Sequence, residues 1–574
     1  MPIISPIKTI VQGAATGEIL SSTEPLSFWG GVCQKTGEVT DTQHPLHGEN
    51  IKDRILVLPS TSGSPNGSLV ILELLINSAA PAGLVFLNEE EIVTTGVIIA
   101  QTLLGRSIPV FRVNESQFNN ITHHTHLATA ARGLVADVAP FPPSDAVPPN
   151  RSDPDTQTQN GNNVRLSYRD RGILNGDYSI AAAHAMNILI QYARLRGMRE
   201  LVSTYRTHID SCIYTGPASL LLARTLLDQG ADFAVSTTLS STFDEQRCLR
   251  ELGVDTNVAL EADGLVDVYV AMGGRASKDF RGTSQFGGPG GVVYRNSFDR
   301  GRTQRYPALI DICIALTGRR PVAEVVETAG PNPSLCIDVR IESVIELTNA
   351  LYPLLGYAIG KVAADQIPLI TGLETTTPTT TDLQAFSAAF ATTSSAPQFY
   401  LAGHSDNAAQ SSPADLRRVR LGADKLVSAL DEFTTATDAT VGLVSLGNPN
   451  FTAKEFRRFS QICAGRHKAD SVEMIITTSP RAYAEASASR TLQAVEAFGA
   501  KVYTDPCWSM RAESAIDPAA GNIMTNCAKY ALCAPGMARR GVHYGSLRHC
   551  INAAETGRVA SGLRERLLGL QCEQ

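Results

Sequence analysis

The stretch ILVLPSTSGSPNGS (55–68) gathers more small hydroxyls and permissive backbone than its flanks. Ser60, Ser62 and Ser64 alternate there with Gly63 and Gly67, which tolerate positive φ. A four-residue apolar run closed by Pro59 precedes the group, and LVILELLI (69–76) follows it with Glu73 as its only charge. Ser68 stands where a helix N-cap is expected. Backbone N–H groups at a helix start, with hydroxyls beside them, suit a carboxylate or a phosphate. An ordinary strand-to-helix turn is the competing reading of the same residues.

Other clusters follow along the chain. THIDSCIYTG (207–216) sets His208 two residues from Asp210, so an extended backbone puts both on one face. An imidazole titrating near 6.5 serves as acid or base, and a hydrogen-bonded structural histidine is the alternative. STTLSST (236–242) follows an expected strand at 233–235, placing Thr237 and Thr238 at a strand's carboxyl end, where open α/β sheets bind ligands. In YRNSFDRGRTQRY (294–306), Arg302 and Arg305 flank Thr303, and guanidinium forks suit carboxylates. Arg295 and Arg300 read as solvated charges, and LTGRRP (316–321) repeats the signal weakly. Cys507 follows an expected strand at 501–503, and MTNCAKYALCAPG (524–536) supplies Cys527, Lys529 and Cys533. Three thiols suffice in principle for a cluster, but this spacing is not diagnostic, and free cysteines are commonly buried as small apolar groups. HHTH (123–126) reads as a surface turn before a metal site.

These residues need a scaffold, and the bulk numbers bound it. At 574 residues the chain exceeds one core. Hydrophobic residues at 43% and charged residues at 18% fit a soluble globular protein. A formal net charge of −7 without a basic stripe argues against nucleic acid as partner. No apolar run reaches the roughly 20 residues of a membrane span, and the N-terminus lacks a secretion signal's order of parts. The 11 cysteines include no C-x-x-C pair, so reduced thiols of a cytoplasmic protein are expected, without a zinc ribbon.

Alternating strand-like and helical runs predict an α/β class throughout. Strands are expected at 55–58, 83–87 and 108–113, with helices at 69–78 and 92–104 between them. Residues 1–137 form one unit. PFPPSDAVPPNRSDPDTQTQNGNN within 138–163 reads as a linker with almost nothing to bury. Residues 164–574 form the second, larger unit, opening on an Ala-rich helix at 178–195 and including a long helix at 482–498.

As a set, GAATGEILSSTEPLSFWGGV, TGEVTD, HPLHG and LPSTSGSPNGS resemble the small swivel domain of the aconitase X family. THIDSCIYTG, STTL, RNS followed by GRTQRY, LTGRRP and MTNCAKYALCAPG resemble its catalytic domain. The resemblance covers nearly the whole chain apart from the linker and the Thr-rich loops. It implies a swivelling β/β/α small domain and a large multi-layer α/β catalytic domain. It further implies hydration or dehydration of small hydroxy acids between the domains, with iron or an iron–sulfur cluster as Lewis acid. The family's proposed base, a swivel-loop serine, matches Ser64; Asn296 and Ser297 match a substrate-binding motif, and Cys507 matches one cluster ligand.

Departures from the family pattern accompany the match. MGGRASKDFRGTSQF (272–286) contains no cysteine where the family carries a cluster ligand. Asn450 stands for a common histidine, and Leu532 and Cys533 replace His-Tyr. Ser62 replaces a loop arginine. One matched thiolate does not hold a cluster, and without the Lewis acid hydroxide leaves poorly. The expectation drawn is a repurposed, metal-independent enzyme on a larger, less polar acid. A pericyclic cyclase such as a Diels–Alderase of specialised metabolism fits, with Ser64, His208 and Lys529 catalytic. Ser60, Ser62, Gly63, Gly67, Thr237, Thr238, Asn296, Ser297, Arg302 and Arg305 would bind the substrate. The alternatives are an iron-dependent dehydratase of a 3-hydroxyproline-like acid, with Cys507, Cys527 and Cys533 as ligands, and a silent acid-binding protein. A monomer or small homo-oligomer is expected.

Overall fold

The computed structural model describes residues 3–561 and Arg564, apart from 131–132, 138–163, 210–212, 240–254, 277–288, 300–303, 323–331, 342–349, 406–415 and 505–519. The expected linker, Asp210, Arg300, Arg302 and Cys507 therefore lie outside the described residues. The chain packs as two compact units: residues 1–240, 260–277 and 306–329 in one, the remainder in the other. Residues 164–240, expected to begin the larger domain, pack in the first of these.

The first unit is built on an eight-stranded sheet. Its order is Ile3–Ile4, Gly133–Ala136, His126–Ala130, Ala15–Ser21, Ile55–Leu58, Gly83–Phe86, Val110–Arg112 and Lys8–Val11. Ala15–Ser21, Ile55–Leu58, Gly83–Phe86 and Val110–Arg112 run parallel. Every residue of ILVL and GLVF is buried, as strands covered on both faces require. Ile55, Val57, Val85 and Phe111 share one core with Phe118 and Leu127. Leu56, Leu58, Leu84 and Phe86 alternate to the other face. Helices Gly67–Ile76 and Ile92–Leu104 make the crossovers between the parallel strands, and their wide apolar surfaces leave most of both buried. They approach closely: a Cβ on Gly96 would lie 2.6 Å from the Ser68 carbonyl oxygen.

The same unit carries helices Ile180–Leu195, Pro217–Asp228 and Ile310–Thr317, with a parallel sheet of Arg206–Ile209, Ser236–Leu239 and Arg275–Ala276. The strand expected at 233–235 is displaced to 236–239 because β-branched threonines favour extended backbone. Thr237 and Thr238 thus lie within the strand, not beyond its end.

The second unit contains two all-parallel sheets. One has the order Tyr400–Leu401, Pro368–Thr371, Leu335–Arg340, Arg417–Gly422. The other has the order Lys501–Thr504, Glu473–Thr478, Leu443–Phe451, Ile523–Thr525, Val542–Tyr544. In each, the chain starts inside, runs to one edge and returns beyond its first strand, the doubly wound order. Helices Leu351–Ala363 and Thr380–Thr393 press together at Gly356, where a Cβ would lie 2.2 Å from the Phe386 carbonyl oxygen. Phe386 and Phe390 pack edge-on or tilted against Phe399 beside them. The long helix expected at 482–498 is two, Pro480–Ala488 and Thr491–Phe498, broken where Arg490 takes φ 58°.

Candidate functional site

The Ser60–Ser68 loop leaves strand Ile55–Leu58, pairs Thr61 and Ser62 with Leu26 and Ser27, and enters helix Gly67–Ile76. Gly63 holds φ 84°, and a Cβ there would meet Ser27 Oγ at 2.6 Å, so glycine is required twice over. The first helical N–H groups turn back on the loop: Gly67 donates to Ser64 O at 3.0 Å, Ser68 to Pro65 O at 3.2 Å and Leu69 to Asn66 O at 2.9 Å. Asn66, not Ser68, is the N-cap, and it makes no side-chain cap bond. Ser68 is fully buried, its Oγ donating to Ile92 O at 2.7 Å and Pro65 O at 3.1 Å. Ser64 remains half-buried, its Oγ accepting only the Asn66 N–H at 3.3 Å. What the loop offers is the half-buried hydroxyls of Ser60, Ser62 and Ser64 on a tightly bonded frame, and few free backbone donors for an anion.

His208 lies in strand Arg206–Ile209, and its Nδ1 is 2.9 Å from Thr238 Oγ1 on the neighbouring strand. Their Cα atoms are in register, so both side chains share a face. Thr237 points the opposite way, buried, with its Oγ1 donating to Val235 O at 2.8 Å. The structure thus joins His208 to Thr238 and turns Thr237 into the packing.

Several expected binding residues of the second unit are hydrogen-bonded to backbone. Arg305 donates from Nη1 to Ser394 O at 2.7 Å and from Nη2 to Ala391 O at 2.9 Å, closing the C-terminus of helix Thr380–Thr393. Asn296 donates to Pro397 O at 3.1 Å, and Ser297 Oγ accepts the Phe399 N–H at 3.1 Å, fastening helix Pro289–Phe298. In the LTGRRP motif Arg319 pairs with fully buried Asp170, Nε to Oδ1 at 2.7 Å, and also donates to Leu201 O. Lys529 is different. It sits half-buried one residue into helix Ala528–Ala538, without a hydrogen-bond or ion-pair partner among the described residues. Its helix follows Ile523–Thr525, the strand beside Leu443–Phe451 where the sheet's winding reverses, the usual ligand edge of such sheets.

Two carboxylates complete the picture. Glu90, which residue reasoning missed, is 3% exposed and receives five hydrogen bonds. Burial raises its pKa against the pull of the Thr61 and Thr94 donors. Nothing in NEEEI (88–92) tells which glutamate turns inward; the three acids before a helix are its only sequence signal. Glu73, visible as the lone charge in an apolar helix, accepts the Ala218 N–H at 3.1 Å and the Ser219 N–H at 3.2 Å. It thereby satisfies the start of helix Pro217–Asp228, and burial raises its pKa too. Gly216 leaves room for it: a Cβ there would lie 2.6 Å from Glu73 Oε2.

No three His, Cys, Asp or Glu side chains group to hold a metal among the described residues. Cys527 caps helix Ala528–Ala538 and Cys533 is buried within it. Cys527 has an extended backbone, φ −101° and ψ 114°, and so stands outside the helix proper. Two thiols alone do not make up the several protein ligands that an iron–sulfur cluster ordinarily takes. HHTH is also accounted for without metal: His124 Nδ1 pairs with Asp137 at 2.7 Å. No helix among the described residues is long and apolar enough to cross a membrane.

The chain matches the family models for the aconitase X swivel domain at residues 4–136, first domain at 163–279, second domain at 333–431 and third domain at 441–556. It is 37% identical over 568 residues to the cis-3-hydroxy-L-proline dehydratase of Hypocrea jecorina, covering 95% of this chain and 94% of that one. It is 37% identical over 572 residues to the enzyme of the same name from Pseudomonas aeruginosa, covering 97% of each. Residues of this chain are 47% identical over 93 positions to the phosphomevalonate dehydratase small subunit of Methanothermobacter thermautotrophicus, covering 16% of this chain and 71% of that one. In fold it resembles the crystal structure of Thermococcus kodakaraensis aconitase X in its holo-form, with TM-score 0.59 and 20% identity, across 68% of this chain and 100% of that one.

Proposed function

This chain belongs to the aconitase X family, and from that premise we propose that it is a hydro-lyase removing water from a small cyclic hydroxy acid of the 3-hydroxyproline class. The observation that carries the reading is the 37% identity to two cis-3-hydroxy-L-proline dehydratases over at least 95% of the chain. The expectation of a polyene cyclase rested on substitutions alone. The relatives that span the chain are dehydratases, and elimination replaces it.

Elimination from such a substrate takes a proton from the carbon bearing the carboxylate and hydroxide from the adjacent carbon. The C–H electron pair becomes the new C=C bond, the C–O pair leaves with oxygen, and the enamine tautomerises to a cyclic imine. A base and an acid are required. Ser64 is the base in this reading and acts as its alkoxide, having first lost its own proton to solvent; the Asn66 N–H directed at its Oγ and the positive end of helix Gly67–Ile76 favour that negative charge. His208, hydrogen-bonded to Thr238 through Nδ1, is the acid that protonates the departing hydroxide in this reading. Cofactor independence is part of the proposal. Its support is the missing cysteine in 272–286 and the lack, among the described residues, of three grouped His, Cys, Asp or Glu side chains. No step is therefore assigned to iron.

The test is turnover of cis-3-hydroxy-L-proline by the full chain in deuterated buffer, followed by NMR with a chelator present and absent. Formation of the cyclic imine, insensitive to chelation, is expected. Conversion no faster than buffer for the cis-3, trans-3 and 4-hydroxy isomers sinks the hydro-lyase reading. Activity abolished by chelation and restored by iron sinks the cofactor part alone.

A further inference from the structure

Resting on the reading of Ser64 as base, we propose that Thr61 and Glu90 are positioning residues that hold the Ser64 loop in its working geometry. Both ends of the loop hang on one turn. Upstream, Thr61 Oγ1 donates to Glu90 Oε1 at 2.5 Å; downstream, Ser68 Oγ donates to Ile92 O at 2.7 Å. Gly67 meets the same turn, since a Cβ on it would lie 2.9 Å from Ile92 Cγ2. The turn is itself locked. Glu90 Oε1 also accepts the Ile92 and Val93 N–H groups at 2.7 and 2.8 Å, and Oε2 accepts the Thr94 N–H and hydroxyl at 2.9 and 2.6 Å. Five donors on two oxygens, at 3% exposure, make Glu90 a support and not a reactant.

The middle of the loop is braced from two further sides. Gly63 presses on Ser27, and Pro65 O accepts the Ala308 N–H at 3.3 Å. The residue after Ala308, Leu309, holds φ 74°, a conformation costly for leucine that persists only where its surroundings impose it. The chain on both sides of Ser64 is thus held, while its hydroxyl hydrogen has no acceptor among the described residues. Such a frame matters to a base because a misplacement of about 1 Å costs on the order of 100-fold in rate.

Thr61 is the discriminating position: its hydroxyl makes one hydrogen bond, and Glu90 keeps four donors without it. Thr61→Val preserves shape and β-branching while cutting the upstream tie; Ser68→Ala cuts the downstream one. In the full chain, hydrogen exchange of the peptide covering 60–68 is expected to accelerate about tenfold in T61V. Its kcat is expected to fall roughly 30-fold with KM within about threefold, and Thr61→Ser to restore both. S68A should move exchange and kcat in the same direction, and decides the matter if T61V does not fold. Unchanged exchange in these variants, or faster exchange with unchanged kcat, overturns the proposal. If Ser64→Ala turns over like wild type, the assignment of the base fails instead. If wild type is inactive on every hydroxyproline, exchange alone decides whether the frame is real.

Discussion

Ser64 and Ser68, four residues apart in one loop, do opposite work. Ser68 is fully buried with its hydroxyl engaged twice, whereas Ser64 is half-buried and engaged once. Ser64→Ala is therefore expected to leave the melting temperature within a degree or two while lowering kcat roughly 100-fold or more. Ser68→Ala should cost about 1–2 kcal/mol, read from denaturant midpoints, because it removes the hydrogen bonds of a fully buried hydroxyl. The sequence pattern cannot tell the two serines apart: both are small hydroxyls before an apolar run. What separates them is that Ser64 O, Pro65 O and Asn66 O accept the first helical N–H groups, a local choice that moves the cap from Ser68 to Asn66. Arg305 teaches the same lesson, since its neighbours suggest a carboxylate clamp and its partners are the carbonyls of a helix end. The Asp170–Arg319 pair is tested likewise. Asp170→Asn leaves the guanidinium buried beside a neutral amide and should destabilise by about 3–5 kcal/mol in the same assay.

Elements were easier to read than residues. Strand Ile55–Leu58 and helix Ile92–Leu104 stand where apolar runs and their periods put them, because burial on a parallel sheet leaves an unbroken hydrophobic signature. Strand Ser236–Leu239 escaped because four residues with three hydroxyls carry no such signature, and only pairing with Arg206–Ile209 declares them a strand. The broken helix at Arg490 escaped because no proline or glycine marks the break. Helix contacts leave a clearer trace in glycine. Gly96 lets helix Ile92–Leu104 lie against Ser68, with the Ile71 Cγ2 only 2.4 Å from where its Cβ would be. Gly96→Val should force the two helices apart and lower stability by about 1–3 kcal/mol. Because the separated helix is the one that receives the Ser64 loop, kcat should fall with it, which differential scanning and steady-state assays measure together.

At the scale of the whole molecule, buried titratable groups set opposing slopes in stability. Glu73, Glu90 and Glu455 have pKa values raised above the ordinary 4.5, each chiefly by burial. In the folded state they hold a proton at pH values where the unfolded chain has released it. The stability they contribute is present in full below 4.5 and is lost as pH rises through their raised values. His543 works from the other side. Burial lowers its pKa below 6.5, so the folded state refuses a proton that the unfolded chain accepts, and stability is lost as pH falls below 6.5. The two slopes oppose each other and partly cancel where their windows overlap. Substitution should separate the two limbs. Glu73→Gln removes an ionisation cost, so its melting temperature relative to wild type should rise as pH climbs from 4.5 through the raised Glu73 value and then level off. His543→Asn should gain on wild type in the reverse direction, from pH 7 down to pH 5. Parallel curves for variant and wild type across that range would show that these buried groups do not govern the response. Curves that diverge from wild type in opposite senses for the two variants would show that residues from both units set the pH dependence.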